Sequence, residues 1–103
     1  MDLWLDDDIV EVGPTFPQAL NGKRDFFLRY REYFTASRRI QSYRIRRPRT
    51  VLLSPSLALV HFLYSMRVVD GDSLEDSHGK ESMIVSRRHG RWKVRFIHWH
   101  RDH

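Results

Sequence analysis

From Ile40 to His100 the chain holds four segments that read as β-strand and little else, and this run limits the fold more than any other feature. The stretch "LALVHFLYSMRVV", Leu57 to Val69, is rich in β-branched and aromatic residues, which fit a pleated surface, and it stops at the turn signal Asp70-Gly71. "GKESMIVSRR", Gly79 to Arg88, and "RWKVRFIHWH", Arg91 to His100, flank His89-Gly90, a two-residue loop whose glycine can take positive φ. These two form a hairpin. Ile40 to Leu53 supplies another strand, interrupted by Pro48, which donates no ladder hydrogen bond and so marks a bulge, an edge or a bend. Consecutive strands joined by tight turns pair antiparallel, and the resulting sheet needs cover on at least one face.

The cover comes from upstream. Between Lys23 and about Ala36 the aromatic residues Phe26, Phe27, Tyr30, Tyr33 and Phe34 recur at three- and four-residue spacing, with Lys23, Arg24, Arg31 and Glu32 between them, which predicts a helix with one aromatic stripe toward a core. Before it, "DIVEV", Asp8 to Val12, is a short strand stopped by Gly13-Pro14, and "GPTFPQALNGK" is a loop. A chain of 103 residues can enclose one core but not two. The expected organisation is one α+β domain over 1–103. The first strand and loop occupy 1–22, a helix 23–37, antiparallel strands 40–100 and a short tail 101–103.

Composition removes several functions. With no cysteine, a disulfide framework, a thiolate metal site and a cysteine nucleophile are all excluded. No segment has the roughly 18 uninterrupted apolar residues of a membrane helix, and "MDLWLDDDIV" is acidic where a secretory signal is basic, so a cytoplasmic location is expected. The net charge of +5 comes largely from "SRRIQSYRIRRPR", Ser37 to Arg49. Arg38, Arg39, Arg44, Arg46, Arg47 and Arg49 form a possible footprint for nucleic acid or another anion. The alternation of Tyr43 and Ile45 with Arg44 and Arg46 reads instead as a half-buried strand with a solvated face, and nucleic-acid binding is not the favoured expectation.

The order of these segments resembles the SnoaL-like families of the nuclear-transport-factor-2-like superfamily. The residues that carry the likeness are "DDIVEVGP", a loop ending "NGK", the aromatic helix, "IQSYRIRRPRTVLLSPSLALVHFLYSMRV" and "ESMIVSRRHGRWKVRFIHWH". The most specific piece is Arg87-Arg88, Gly90, Trp92-Lys93-Val94 and then His98-Trp99. His100 stands where that family commonly has serine. The resemblance implies a curved, mostly antiparallel sheet wrapped as a cone around one or two helices, with a pocket between the concave face and the helices. It also implies a long helix before the first strand, whereas here that strand lies within about eight residues of Met1. Families of this kind include isomerases, dehydratases and hydrolases as well as assembly domains, so fold alone does not deliver function.

Strict alternation over Trp92 to His100 puts Trp92, Val94, Phe96, His98 and His100 on one face and Lys93, Arg95, Ile97 and Trp99 on the other. The first set is the concave one in this reading, and His98 then lines the pocket as a candidate base. On the long strand Ala58, Val60, Phe62, Tyr64, Met66 and Val68 form the inner side, and the resemblance places Glu81 and Met83 inward as well. His98, Tyr64 and Glu81 are the candidate catalytic groups, with Glu81 facing His98. Tyr30, Phe34, Phe62, Tyr64, Met83 and His98 are the candidate ligand contacts. His98 and His100 on one face, followed by Asp102 and His103, have the spacing of a metal site. A chain end gives such a site little support, so no metal and no cofactor are expected.

The opposite face carries Leu57, Leu59, Leu63 and Val69, with Ile97 and Trp99, and this excess of apolar residues predicts a homodimer through the convex sheet. The cone mouth would be covered by Leu3-Trp4-Leu5, by the partner or by the tail from His98 to His103. The expected function is binding of a small, partly apolar molecule. The alternatives are a small lyase, isomerase or hydrolase using His98 with Tyr64 or Glu81, and a non-catalytic interaction module.

Overall fold

A computed structural model describes residues 5–16, 18–35 and 37–102. The elements are β1 (Leu5–Val12), β2 (Leu20–Asn21), α1 (Lys23–Tyr33), β3 (Arg38–Ser54), β4 (Leu57–Asp70), β5 (Ser73–Arg88) and β6 (Arg91–Asp102). They build one curved sheet in the order β2-β1-β6-β5-β4-β3. Only β1 and β6 run parallel; every other pair is antiparallel. This is the expected α+β architecture, with a single helix among the described residues.

The turns follow the punctuation of the sequence. His89 and Gly90 both take positive φ, 52° and 74°, as the tight β5–β6 hairpin requires. At Pro48 the β3–β4 register slips between Arg46 and Arg49, and Arg47 adopts φ 52°. Pro48 thus sits at a bulge on an edge strand, where its missing N–H breaks no ladder.

Several boundaries differ from expectation. β1 begins at Leu5 rather than Asp8, and Leu20–Asn21, within the expected loop, forms β2 by pairing with β1. The helix ends at Tyr33, because Phe34 is already extended (φ −94°, ψ 113°) although its N–H still bonds the Tyr30 carbonyl at 2.8 Å. Thr35 and Ser37 then hydrogen-bond to each other, and the Arg38 N–H reaches the Thr35 carbonyl, so hydroxyl side chains take over from the helix ladder. β5 begins at Ser73 rather than Gly79. Its polar first half is held by cross-strand pairing that includes a two-pronged bond from Arg67 to Asp76 at 2.8 and 3.1 Å. Arg101 and Asp102 are strand residues opposite Gly79 and His78, not a tail.

The most consequential difference lies in β6. Ile84 pairs with Phe96 and Val85 with Val94, so Arg95 is an extra residue and the strand is bulged. A one-residue insertion exchanges the two faces beyond it. Val94 packs against the core as expected, but after the bulge Ile97 and Trp99 turn inward and are buried, while His98 and His100 are exposed. The assignment of His98 to the concave face, and of Ile97 and Trp99 to the convex face, is therefore reversed.

The core lies between α1 and the concave face. Leu5, Ile9 and Leu20 from the first two strands meet Phe26 of the helix, Phe62 and Tyr64 of β4, and Ile97 and Trp99 of β6. Gly13 lies directly under the Trp99 indole, in space a Cβ would need. Leu3 and Trp4, named as a lid, lie outside the described residues, as does His103.

Candidate functional site

The concave face and α1 enclose a cavity of about 510 Å³. Its apolar wall comes from Phe26 and Phe34 of the helix region, Ile40 of β3, Met66 and Val68 of β4, and Ile97 and Trp99 of β6. Tyr30, Tyr33, Tyr43 and Tyr64 add rings with polar tips. The Tyr64 ring stacks on Tyr43 at 5.9 Å and meets Trp99 edge-on at 5.8 Å, so these three rings brace one another.

Two carboxyl groups enter this aromatic space from opposite strands. Glu11 is only 4% exposed and shares the inner side of β1 with Ile9, so an acid is built into an apolar strand face. The Tyr30 hydroxyl and the Trp99 indole N–H, the latter at 3.3 Å, both donate to Glu11 Oε1. Burial nevertheless pushes the Glu11 carboxyl above the usual carboxylate range, against those two bonds. Glu81 accepts from the Tyr43 hydroxyl at 3.2 Å. Burial pushes Glu81 up to about 7; the Tyr43 bond works against the rise and the Glu11 charge adds to it. Tyr30 and Tyr43 are themselves pushed upward, by burial first and then by the neighbouring carboxylates. Both remain proton donors at any ordinary pH.

Tyr64 and Arg101 are left over. The Tyr64 hydroxyl and the Arg101 Nε are buried and, like Arg38 Nε and Ser86 Oγ, lack a partner within strict hydrogen-bond geometry among the described residues, although Arg101 is close enough to Tyr64 to act on it as a hydrogen-bond donor. Burial raises the Tyr64 pKa, while the nearby Arg101 charge acts in the other direction. At the cavity rim Arg38 is engaged through its two terminal nitrogens, while its Nε has no partner among the described residues. It reaches Asp70 at 2.9 Å and Glu75 at 3.2 Å, bonds the Tyr33 hydroxyl, and lies 4.4 Å over the Tyr33 ring. One member of the arginine stretch is therefore part of the cavity wall and not of a surface footprint.

Of the residues singled out in sequence, Tyr30, Phe34, Tyr64 and Glu81 line the cavity together. Phe62 and Met83 face the same side but pack in the core behind it. His98 does not join them. It is exposed on the outer face opposite Ser82, whose hydroxyl lies 3.0 Å from His61 Nδ1. The cross-strand neighbour of Glu81 is Trp99, so the expected Glu81–His98 pairing is replaced by Glu81–Tyr43. No group of three metal-ligating side chains comes together among the described residues.

Glu11, Tyr43, Trp99 and Arg101 escaped the reading of the sequence. Glu11 carried a signal, since it follows Ile9 at the strand period. Tyr43 carried one in its alternation with Ile45. Trp99 and Arg101 carried none, because the Arg95 bulge that turns them inward leaves no mark in composition or spacing.

Solved structures share this architecture. A ketosteroid isomerase-like protein from Erwinia carotovora atroseptica aligns with a TM-score of 0.80 at 18% identity, over 99% of this chain and 78% of its own. An NTF2-like protein from Cytophaga hutchinsonii gives 0.79 at 12% identity, over 98% and 78%. The association domain of C. elegans CaMKII gives 0.70 at 18% identity, over 93% and 66%. No family model matches the chain, and no curated protein matches it significantly. The chain has the NTF2-like α+β cone fold, and at these identities the likeness speaks to fold alone.

Proposed function

We propose that this chain binds a small, partly apolar molecule in the cavity between α1 and the concave sheet. The observation that carries the proposal is the cavity itself: about 510 Å³, walled by aromatic side chains, with a few polar groups converging on it. Ligand sites in general have this size and makeup. A thermal-shift screen of small aromatic and alicyclic compounds tests it on the wild type and on Ile40→Trp. Ile40 lines the cavity from the edge strand and is 45% exposed, so a larger side chain there blocks the space without repacking the core. A compound at about one hundred times its Kd adds about 2.7 kcal/mol, a rise of roughly 4 to 8 °C for a domain of this size, and Ile40→Trp is expected to abolish it. A screen in which no compound raises the wild-type Tm contradicts the proposal.

A catalytic form of the same reading rests on Glu81. A carboxyl group near neutrality, beside tyrosine hydroxyls that stay protonated, suits proton transfer on a bound molecule. The ketosteroid isomerase-like neighbour supports that form by its name. The acid–base work falls to Glu81 and Tyr64, without His98.

Self-association through the convex face completes the proposal. Leu57, Leu59, Leu63 and Val69 lie on that face, and cross-strand pairing adds Val51 and Ile84 beside Leu59, with Phe96 beside Ile84. The association domain of C. elegans CaMKII lends support by its name. Each such side chain covered contributes about 1.5 to 3 kcal/mol, so Leu59→Lys is expected to give a folded monomer where the wild type is a dimer. Light scattering at micromolar concentration measures this, and a monomeric wild type contradicts it.

A further inference from the structure

The polar groups of the cavity wall differ in what they can still bond. The Tyr64 hydroxyl and the Arg101 Nε are sealed off from the space. The open valence belongs to two carboxyl groups. Glu11 is 4% exposed and takes both the Tyr30 hydroxyl and the Trp99 indole N–H on a single oxygen, Oε1, while Glu81 takes the Tyr43 hydroxyl on its own Oε1. The second oxygen of each accepts nothing among the described residues, and neither is sealed off as the Tyr64 hydroxyl is. The two acids stand on either side of one ring. Glu11 of β1 and Glu81 of β5 flank β6, where Glu81 pairs with Trp99 and Glu11 with Ile97, two residues away on the same face. Glu11, Glu81 and Trp99 all line the cavity. The cations nearby are turned elsewhere: Arg38 is held by Asp70 and Glu75, Arg67 by Asp76, and Arg101 bears on Tyr64. The charge that acts on Glu81 is the Glu11 carboxylate. Two buried carboxylates facing one another are costly, and a positive charge between them removes that cost.

We infer that the cavity takes an organic cation, a protonated amine on an apolar body, with its ammonium between the free oxygens of Glu11 and Glu81 and against the Trp99 ring. This deepens the small-molecule reading and rests on it. An ammonium brings donors to a wall whose open groups are acceptors, and aromatic rings, indole above all, attract a cation further. The apolar body then lies along Phe26, Phe34 and Met66. A carboxylate ligand would add a third negative charge, and a neutral alcohol would satisfy one oxygen without offsetting the charge of either acid.

Isothermal titration with three matched probes tests the inference: 3-phenylpropylamine, 3-phenylpropanol and 3-phenylpropionate. At about pH 8 the amine is expected to bind the wild type about tenfold or more tightly than the alcohol, the usual scale of a charge-assisted hydrogen bond, and the acid is expected to bind more weakly than either. Glu81→Gln keeps the size of the side chain and is expected to bring the amine within about twofold of the alcohol, whose own affinity changes little. Amine affinity of the wild type is also expected to fall about tenfold between about pH 8 and about pH 5.5. Over that interval Glu81, which faces Tyr43, Glu11, Tyr30 and the Trp99 ring, takes up a proton and ceases to attract the ammonium. Glu11→Gln keeps an acceptor for Tyr30 and Trp99, serves where the Glu81 variant does not fold, and is expected to lower the amine preference in the same direction. An alcohol or acid that binds the wild type as tightly as the amine, or an amine preference that survives in the glutamine variants, overturns the inference while leaving the small-molecule reading in place. If none of the three probes binds at millimolar concentration, the small-molecule reading falls and this inference with it.

Discussion

Replacing Gly79 with alanine is expected to destabilise the protein by about 3 kcal/mol, the upper end of the range for overpacking a close-packed interior. Gly79 is buried in the middle of β5, between β4 and β6. A Cβ there would overlap the backbone carbonyl of His100, and it would come within 3.0 Å of the Tyr64 ring. A side chain at fault can rotate away, but a carbonyl in a sheet ladder moves only if β6 moves. The expected result is a lower denaturation midpoint with an unchanged slope, read by urea unfolding. The same substitution at Gly71 or Gly90, where a Cβ meets nothing within 4 Å, carries no such overlap and only the strain of positive φ. If Gly79→Ala is as stable as the wild type, the tight approach of β5 and β6 beneath Tyr64 is wrong.

The second large effect is on pH dependence. Glu81 has an ordinary value of 4.5 and is raised to about 7 in the folded chain. The groups facing it are Tyr43 from β3, Glu11 from β1 and the Trp99 ring across from it on β6, with Tyr30 of the helix also within electrostatic reach. Between those two pH values the folded state holds a proton that the unfolded state has released. Stability from this group is therefore fully present below about pH 4.5, declines as pH rises, and levels off above about pH 7. The total is about 3 to 4 kcal/mol if the whole shift is realised, and less where water reaches the carboxyl. Glu81→Gln, a neutral isostere, is expected to flatten this part of the curve. Urea unfolding at about pH 5 and about pH 8 is expected to show the wild type losing roughly 2 kcal/mol more than the variant. Glu11 is raised in the same direction, so a residual slope in Glu81→Gln is anticipated. Parallel profiles for the two proteins would mean that Glu81 is charged and solvated, and the catalytic form of the proposed function would lose its base.

What was legible in the sequence depended on where the physics is local. His89-Gly90 specifies a two-residue turn through backbone conformation alone, and Pro48 specifies a break in a ladder through a missing donor; both appear where expected. The inner side of β4 was also readable, since Ala58, Phe62, Tyr64 and Val68 alternate without a bulge and are all buried. The strand from Ser73 to His78 was not readable, because its partners rather than its own polar residues hold it in the sheet. β6 was misread at a single residue. The bulge at Arg95 is a tertiary accommodation of a curved sheet, and beyond it every face assignment inverts. That one inversion moved His98 out of the candidate site and brought in Trp99 and Arg101. It also explains why the candidate chemistry shifted from imidazole to carboxyl and phenol.

The space between α1 and the concave sheet is the proposed ligand site. A crystal structure of the protein soaked with small aromatic and alicyclic compounds measures this directly. Density is expected between Tyr30, Tyr64 and Trp99, with His98 outside on the opposite face. A cavity filled by inward collapse of Phe34 and Tyr43, or density only on the His98 side of the sheet, would contradict it.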